Sequence, residues 1–225
     1  MILKYINYIS SMKKNSFEEA FLLRIFVLDS ERNNVGYLVP VGNWILSDEL
    51  KIEQIRLWRQ RTMRMFLTQF ESSFDKTLGY LKNLSIEQKG RIFFLLYDDK
   101  DQFVGHMGIA NVDGNKGELD NLMRGINGGH PRLVYFAEVA LLNWCFNNLE
   151  ISESDVRVIS YNWLTLALHE EVGYKLSENI PLKKILKDGC VFHETTEREK
   201  TNVKYSCAKM VVSKQRFYEV NNWLN

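Results

Sequence analysis

Apolar positions along this chain change period several times, and each change predicts a new element. Ile2, Ile6, Ile9 and Met12 recur at helical spacing, so a short amphipathic helix is expected within residues 1–20. FLLRIFVL (21–28) and VGYLVPV (35–41) are apolar, β-branched runs around the turn-prone DSERNN, which reads as a hairpin. Ser47 and Asp48 offer caps for a helix carrying Leu50, Ile55, Leu57 and Trp58, and a further helical stretch is expected over 62–84, both covering one face of a sheet. IFFLLY (92–97), FVGHMGIANV (103–112) and ELDNLM (118–123) then predict three strands in meander order. Residues 132–148 have helical length and are apolar on most sides, and VRVIS (156–160) follows as a strand. That order implies a right-handed β-α-β crossover and a parallel pair. A shorter helix is expected over 162–171, ended by Gly173. Residues 187–204 are polar and weakly periodic, a long hairpin or loop before the strand YSCAKMVV (205–212) and a closing helix over 215–224. With no repeat, low-complexity tract or linker, residues 1–225 read as one α+β domain on a mixed sheet.

Composition narrows the function. Lys plus Arg number 29 against 28 Asp plus Glu, so no global field favours nucleic acid or an acidic membrane. The three cysteines, Cys145, Cys190 and Cys207, are odd in number and scattered, which suits reduced thiols better than a disulfide framework. Four histidines without a Cys/His cluster predict no structural metal. The N-terminal residues lack a signal-peptide pattern and no apolar run reaches membrane-spanning length, so a soluble, cytoplasmic protein is expected.

The chemistry concentrates in 117–174. There a glycine-rich turn lies between a strand and a helix, an arrangement in which backbone N–H groups converge on phosphate. Residues 124–129 read R-G-I-N-G-G, and 162–174 read N-W-L-T-L-A-L-H-E-E-V-G-Y. The first resembles the coenzyme A loop Q/R-x-x-G-x-G/A of the GCN5-related N-acetyltransferases (GNAT). The second resembles that family's N-x-x-A-x-x-L-Y-x-x-x-G-F, with Asn162, Leu168, Gly173 and Tyr174 in register. WRQ (58–60), ELDNLMRG (118–125) and IPLKKI (180–185) are similar to members acting on amino sugars in surface-polysaccharide pathways.

The resemblance implies a mixed, mostly antiparallel sheet with helices on both faces and a parallel crossover carrying the coenzyme A loop. It implies acetyl-CoA as donor, no metal, and a small-molecule amine as acceptor, preferably a nucleotide-linked amino sugar; a homodimer is left open. It places the donor on Leu122, Met123, Arg124, Gly125, Asn127, Gly128, Gly129 and Asn162, and implies that the strand ending at Met123 splays from the one beginning at Val156. Two positions depart from the pattern. Asn127 stands for a glycine, although Asn best tolerates a left-handed backbone. His169 stands where the family commonly has the tyrosine that protonates the leaving thiolate.

Acetyl transfer needs a proton acceptor, N–H donors at the oxyanion and some relief for the leaving sulfur. Glu118 and Asp120 alternate onto one strand face, with Asp120 the first choice of base, Glu118 the second and His106 the third. Each has a plainer role open to it: a wet strand face for the carboxylates, a hydrogen-bonded structural histidine for His106. His169 is a candidate acid or a surface residue. Arg59, His106 and Asn121 are candidate acceptor contacts, while Trp58, Tyr135, Phe136, Trp144 and Cys145 read as core. Acetylation of a protein or peptide amine, a non-catalytic coenzyme A-binding or scaffolding role, and another small phosphate ligand remain as alternatives.

Overall fold

The computed structural model describes residues 2–224, with side chains from Lys4 onward, so the expected role of Ile2 in a packed face lies outside the described side chains. Helix α1 (Ile2–Met12) buries Tyr5, Ile9 and Met12. The run 21–28 divides: Phe21 and Leu22 close helix α2 (Phe17–Leu22), and only β1 (Ile25–Leu28) is strand. The reason is local, since the Ser16 side chain accepts the Glu19 N–H and two glutamates occupy the first turn, a start signal that carries the helix through Phe21. Strand β2 (Asn34–Pro40) follows, then α3 (Glu49–Arg61), capped by Asp48 through the Lys51 N–H.

The continuous helix expected over 62–84 is broken. A single tight turn (Met63–Met65), a two-residue strand β3 (Thr68–Gln69), helix α4 (Phe74–Gly79) and a wider helical turn (Tyr80–Ile86) replace it. Ser73 starts α4 afresh by accepting the Lys76 N–H, and β3 is recruited by a strand more than a hundred residues later, a pairing that overrides local period.

The meander is β4 (Ile92–Asp98), β5 (Phe103–Asp113) and β6 (Lys116–Arg124). After it come α5 (Leu133–Asn148), β7 (Glu153–Ile159), α6 (Trp163–Val172), β8 (Lys175–Lys187), β9 (Cys190–Thr195), β10 (Ser206–Ser213) and α7 (Lys214–Val220). Strand order is β1-β2-β4-β5-β6-β7-β10-β8-β9-β3, antiparallel throughout except for β6 and β7. The polar stretch beginning at Lys187 thus contains β9, which turns back on β8 at Asp188 and Gly189.

Helices cover both faces of this sheet. On one, α1 and α5 pack over Leu38, Phe94, Leu96, Met107 and Val158. On the other, α2, α3 and the chain up to Ile86 pack over Tyr37, Val39, Phe93, Leu95 and Tyr97. Both faces of the central strands are therefore largely covered, and an opening lies beside β6, where it leaves β7.

Candidate active site

Strands β6 and β7 are in parallel register for three pairs alone, Lys116 with Glu153, Gly117 with Ser154 and Glu118 with Asp155. Past Glu118 each follows its other neighbour: β6 stays on β5 and β7 stays on β10. The β7-facing edge of β6 from Leu119 to Arg124 consequently has no strand partner among the described residues, the splay expected at Leu122 and Met123. A bulge sits within that edge. His106 pairs with Met123 and Gly108 with Asp120, so Leu122 and Asn121 together oppose Met107, and Asn121 takes a left-handed φ of 53°.

Beyond β6 the loop turns its carbonyls inward. The Arg124 guanidinium donates to the carbonyls of Gly128 at 2.8 Å, Pro131 at 3.2 Å and Ile126 at 3.3 Å. The N–H groups of Asn127, Gly128, Gly129 and His130 meet no acceptor among the described residues. A row of free donors at the start of α5 is suited to a phosphate group, so the residues present fit coenzyme A. Gly129 has a φ of 63°, and a Cβ there would lie 2.6 Å from that of Asp98, so glycine is required twice over. Asn127 is absent from the left-handed residues, and the departure from the glycine pattern carries no backbone cost. A Cβ on Gly125 would fall 2.0 Å from the Trp58 ring, which makes that glycine a packing requirement of α3 against the loop. The extra His130–Pro131 step sets α5 back to Leu133, with the His130 ring accepting the Arg132 N–H at 3.1 Å. Asn162 precedes α6, its carbonyl accepting the Leu166 N–H.

On the other side of β6 lies a cleft of about 480 Å³, lined by Glu118, Asp120, Asn121, His106 and Arg59 among others. Asp120 is ion-paired with Arg91 and accepts from the Asn121 amide at 2.6 Å. Glu118 accepts from Asn111 at 2.7 Å and has a looser contact with Arg157 at 3.4 Å. The Asn121 amide also meets the Tyr80 hydroxyl at 2.6 Å, and burial raises the Tyr80 phenol above its usual range. The Arg59 guanidinium lies over the Phe66 ring, its Cζ 3.4 Å from the centroid, and donates to the Thr68 carbonyl; burial brings it down to about 10, still a cation at neutral pH. His106 donates Nδ1–H to the Asn121 carbonyl at 2.7 Å, and burial lowers it to about 4.

The roof over this cleft is built from afar. Thr68 and Gln69 pair with Phe192 and Val191 of β9, and His193 donates both its backbone N–H and its Nδ1–H to the Leu67 carbonyl. Its Nε2 accepts from the Tyr205 hydroxyl at 2.7 Å.

The structure thus gathers Glu118, Asp120, Asn121, Arg59 and His106 in one cleft, and Arg124, Gly125, Asn127, Gly128 and Gly129 in the adjoining loop. His169 stands apart. It is buried, with Nδ1 at 2.7 Å from a Glu138 carboxylate oxygen that is buried as well, and neither residue lines the cleft. Glu138 was missed in the sequence, although a carboxylate centred in an otherwise apolar helix was a visible signal. Arg91, Arg157 and Tyr80 were missed for a different reason: nothing in their local pattern ties them to β6. Cys145 is fully buried and its thiol is pushed up, as inert packing requires.

No family model matches the sequence, and no curated protein matches it significantly. Solved structures do match. A probable acetyltransferase of the GNAT family from Chromobacterium violaceum superposes with a TM-score of 0.63 at 15% identity, over 86% of this chain and 87% of that one. FdhC, a nucleotide-linked sugar GNAT, gives 0.56 at 13% identity over 82% and 90%. The spermidine N-acetyltransferase of Vibrio cholerae, solved with CoA and spermine, gives 0.54 at 14% identity over 76% and 93%. The splayed parallel pair, the glycine loop and these likenesses together give the chain the GCN5-related N-acetyltransferase fold.

Proposed function

We propose that this protein is an acetyl-CoA-dependent N-acetyltransferase that acetylates a primary amine held in the cleft beside β6, preferably that of a nucleotide-linked amino sugar. The observation that carries the proposal is the end of β6–β7 pairing at Glu118, with an unpartnered β6 edge leading directly into a loop of free N–H donors. The donor supplies an activated acetyl thioester; the chain's own residues do the rest. The β6 edge offers N–H groups to the pantetheine arm and carbonyl, and residues 127–130 hold the diphosphate. The amine attacks from the cleft side, the N–C bond forming as the C–S bond breaks. Asp120 already serves as counter-ion to Arg91, which supports ranking Glu118, with its looser cation contact, ahead of it as acceptor of the ammonium proton. A thiol of reference pKa about 8.5 leaves without much acid help, so His169 is assigned to joining α6 to α5 through Glu138.

A non-catalytic coenzyme A-binding role is the second reading. Its support is the prior engagement of Asp120 by Arg91 and of His169 by Glu138. One experiment separates them: acetyl-CoA at millimolar concentration raises Tm under both, whereas mass-detected transfer to nucleotide-linked amino sugars occurs under the first alone. Absence of any Tm shift removes both.

A further inference from the structure

One wall of the cleft has little regular structure of its own. Residues 62–73 join α3 to α4, and their regular elements are the tight turn Met63–Met65 and the two residues of β3. Yet Met65, Phe66, Leu67, Thr68 and Phe70 all line the cleft beside β6. A pairing two residues long does not fix a segment, so its place is set by whatever else holds its backbone.

Side chains from elsewhere hold the carbonyls of Arg64, Leu67 and Thr68. Arg59 donates to Thr68 at 3.0 Å, and the Tyr161 hydroxyl donates to Arg64. His193 takes the Leu67 carbonyl twice, with its backbone N–H at 3.0 Å and its Nδ1–H at 2.7 Å. A carbonyl only accepts, so Nδ1 carries the proton and Nε2 the lone pair, which the Tyr205 hydroxyl fills at 2.7 Å. Tyr205 in turn meets Tyr161 edge to face, with 5.0 Å between ring centroids. Both imidazole nitrogens are thus spent on holding, His193 is buried, and neither it nor Tyr205 lines the cleft. The pair does not touch an acceptor, but it fixes the surface that an acceptor meets.

We propose that His193, oriented by Tyr205, is a positioning residue for the acceptor, clamping the wall 65–70 over the cleft and so setting acceptor affinity. A wall that packs on the acceptor away from the reacting atoms binds ground and transition state alike, so loosening it raises KM and spares kcat. Donor binding is spared too, because the loop after β6 takes its shape from Gly129, Arg124 and α3. The inference rests on the acetyltransferase reading of the same site and adds the residue that shapes its acceptor side.

The test follows acetyl transfer to a nucleotide-linked aminohexose by wild type, His193→Leu, His193→Asn and Tyr205→Phe, with hydrogen exchange over 62–73 read by mass. His193→Leu should raise the acceptor KM about 10-fold or more, leave kcat within about twofold and speed exchange over 62–73. The Tm shift by acetyl-CoA should persist. Asn carries its amide nitrogen on Cγ, as His carries Nδ1, so His193→Asn restores the Leu67 contact and should bring KM back within about threefold of wild type. Tyr205→Phe frees the tautomer but keeps the Nδ1 contact; it should fall between, and it stands in if His193→Leu fails to fold. An unchanged acceptor KM, a matched fall in kcat and in the acetyl-CoA shift, or a KM that His193→Asn does not restore makes the residue structural alone. Each of these overturns the clamp and leaves the acetyltransferase intact. No transfer by wild type to any aminohexose overturns the acceptor reading and the clamp with it.

Discussion

The loop after β6 and the cleft beside it do their proposed work with opposite materials. The loop is one contiguous segment whose active groups are backbone N–H donors, fixed by Gly129 and by Arg124 drawing three carbonyls inward. The cleft takes side chains from α3, β4's approach at Arg91, β5, β6 and β7, and borrows its roof from β9. A backbone site tolerates side-chain change and fails with a change of dihedral angle. A side-chain site fails the other way round, and the expected effects of substitution divide along that line.

The largest effect is expected from the cleft. Glu118→Gln is nearly isosteric and keeps the Asn111 contact open, yet removes the proposed proton acceptor. A loss of about 10²- to 10⁴-fold in kcat is expected, with the acetyl-CoA shift in Tm unchanged. A rate within threefold of wild type would return the role to Asp120 or to solvent.

Next in size is a pH effect on stability from His106. Its folded value of about 4 lies below its ordinary 6.5, so between those values the unfolded chain binds a proton that the native state refuses. Stability is whole above pH 6.5 and declines as pH falls towards 4, by about 3 kcal/mol in total. Arg59 and the aromatic rings of Trp58 and Phe93 face the imidazole, and none of these offers the proton a counter-charge. Urea unfolding at pH 7 and pH 4.5 should therefore favour His106→Phe, relative to wild type, at the lower pH. A constant difference between the two proteins would mean that His106 is protonated in the fold.

What the sequence disclosed follows the same division. The meander, the crossover, the glycine loop and the Asp48 cap are local or contiguous, and each carried its own signature of period, turn residue or cap. Tyr80, Arg91, Arg157 and the β9 roof reach the cleft through long-range packing, and no residue near them in sequence announces it. Strand β8 escaped because all of its residues from Lys175 to Asn179 are exposed, which removes the alternation by which a half-buried strand is recognised. Position 169 was matched to its motif in register; burial against Glu138 is a property of how α6 lies on α5, which register does not encode.

The smallest effect sharpens the contrast most. Gly129→Ala places a methyl in a left-handed backbone and against the Asp98 side chain, which itself accepts the Lys100 and Gln102 N–H groups of the β4–β5 turn. About 1–2 kcal/mol of stability should be lost, together with most of the acetyl-CoA shift in Tm. The low-pH behaviour set by His106 should be untouched, because the imidazole is held by β6 and α3 and not by the loop. Asn127→Gly is the matched control. Asn127 is exposed and carries no left-handed strain, so restoring the glycine of the family pattern should leave donor binding unchanged within about twofold, or weaken it slightly by loosening the unbound loop. If Asn127→Gly instead strengthens binding tenfold while Gly129→Ala has no effect, the N–H donors are not arranged by the Gly129 turn, and the loop depends on its side chains as the cleft does.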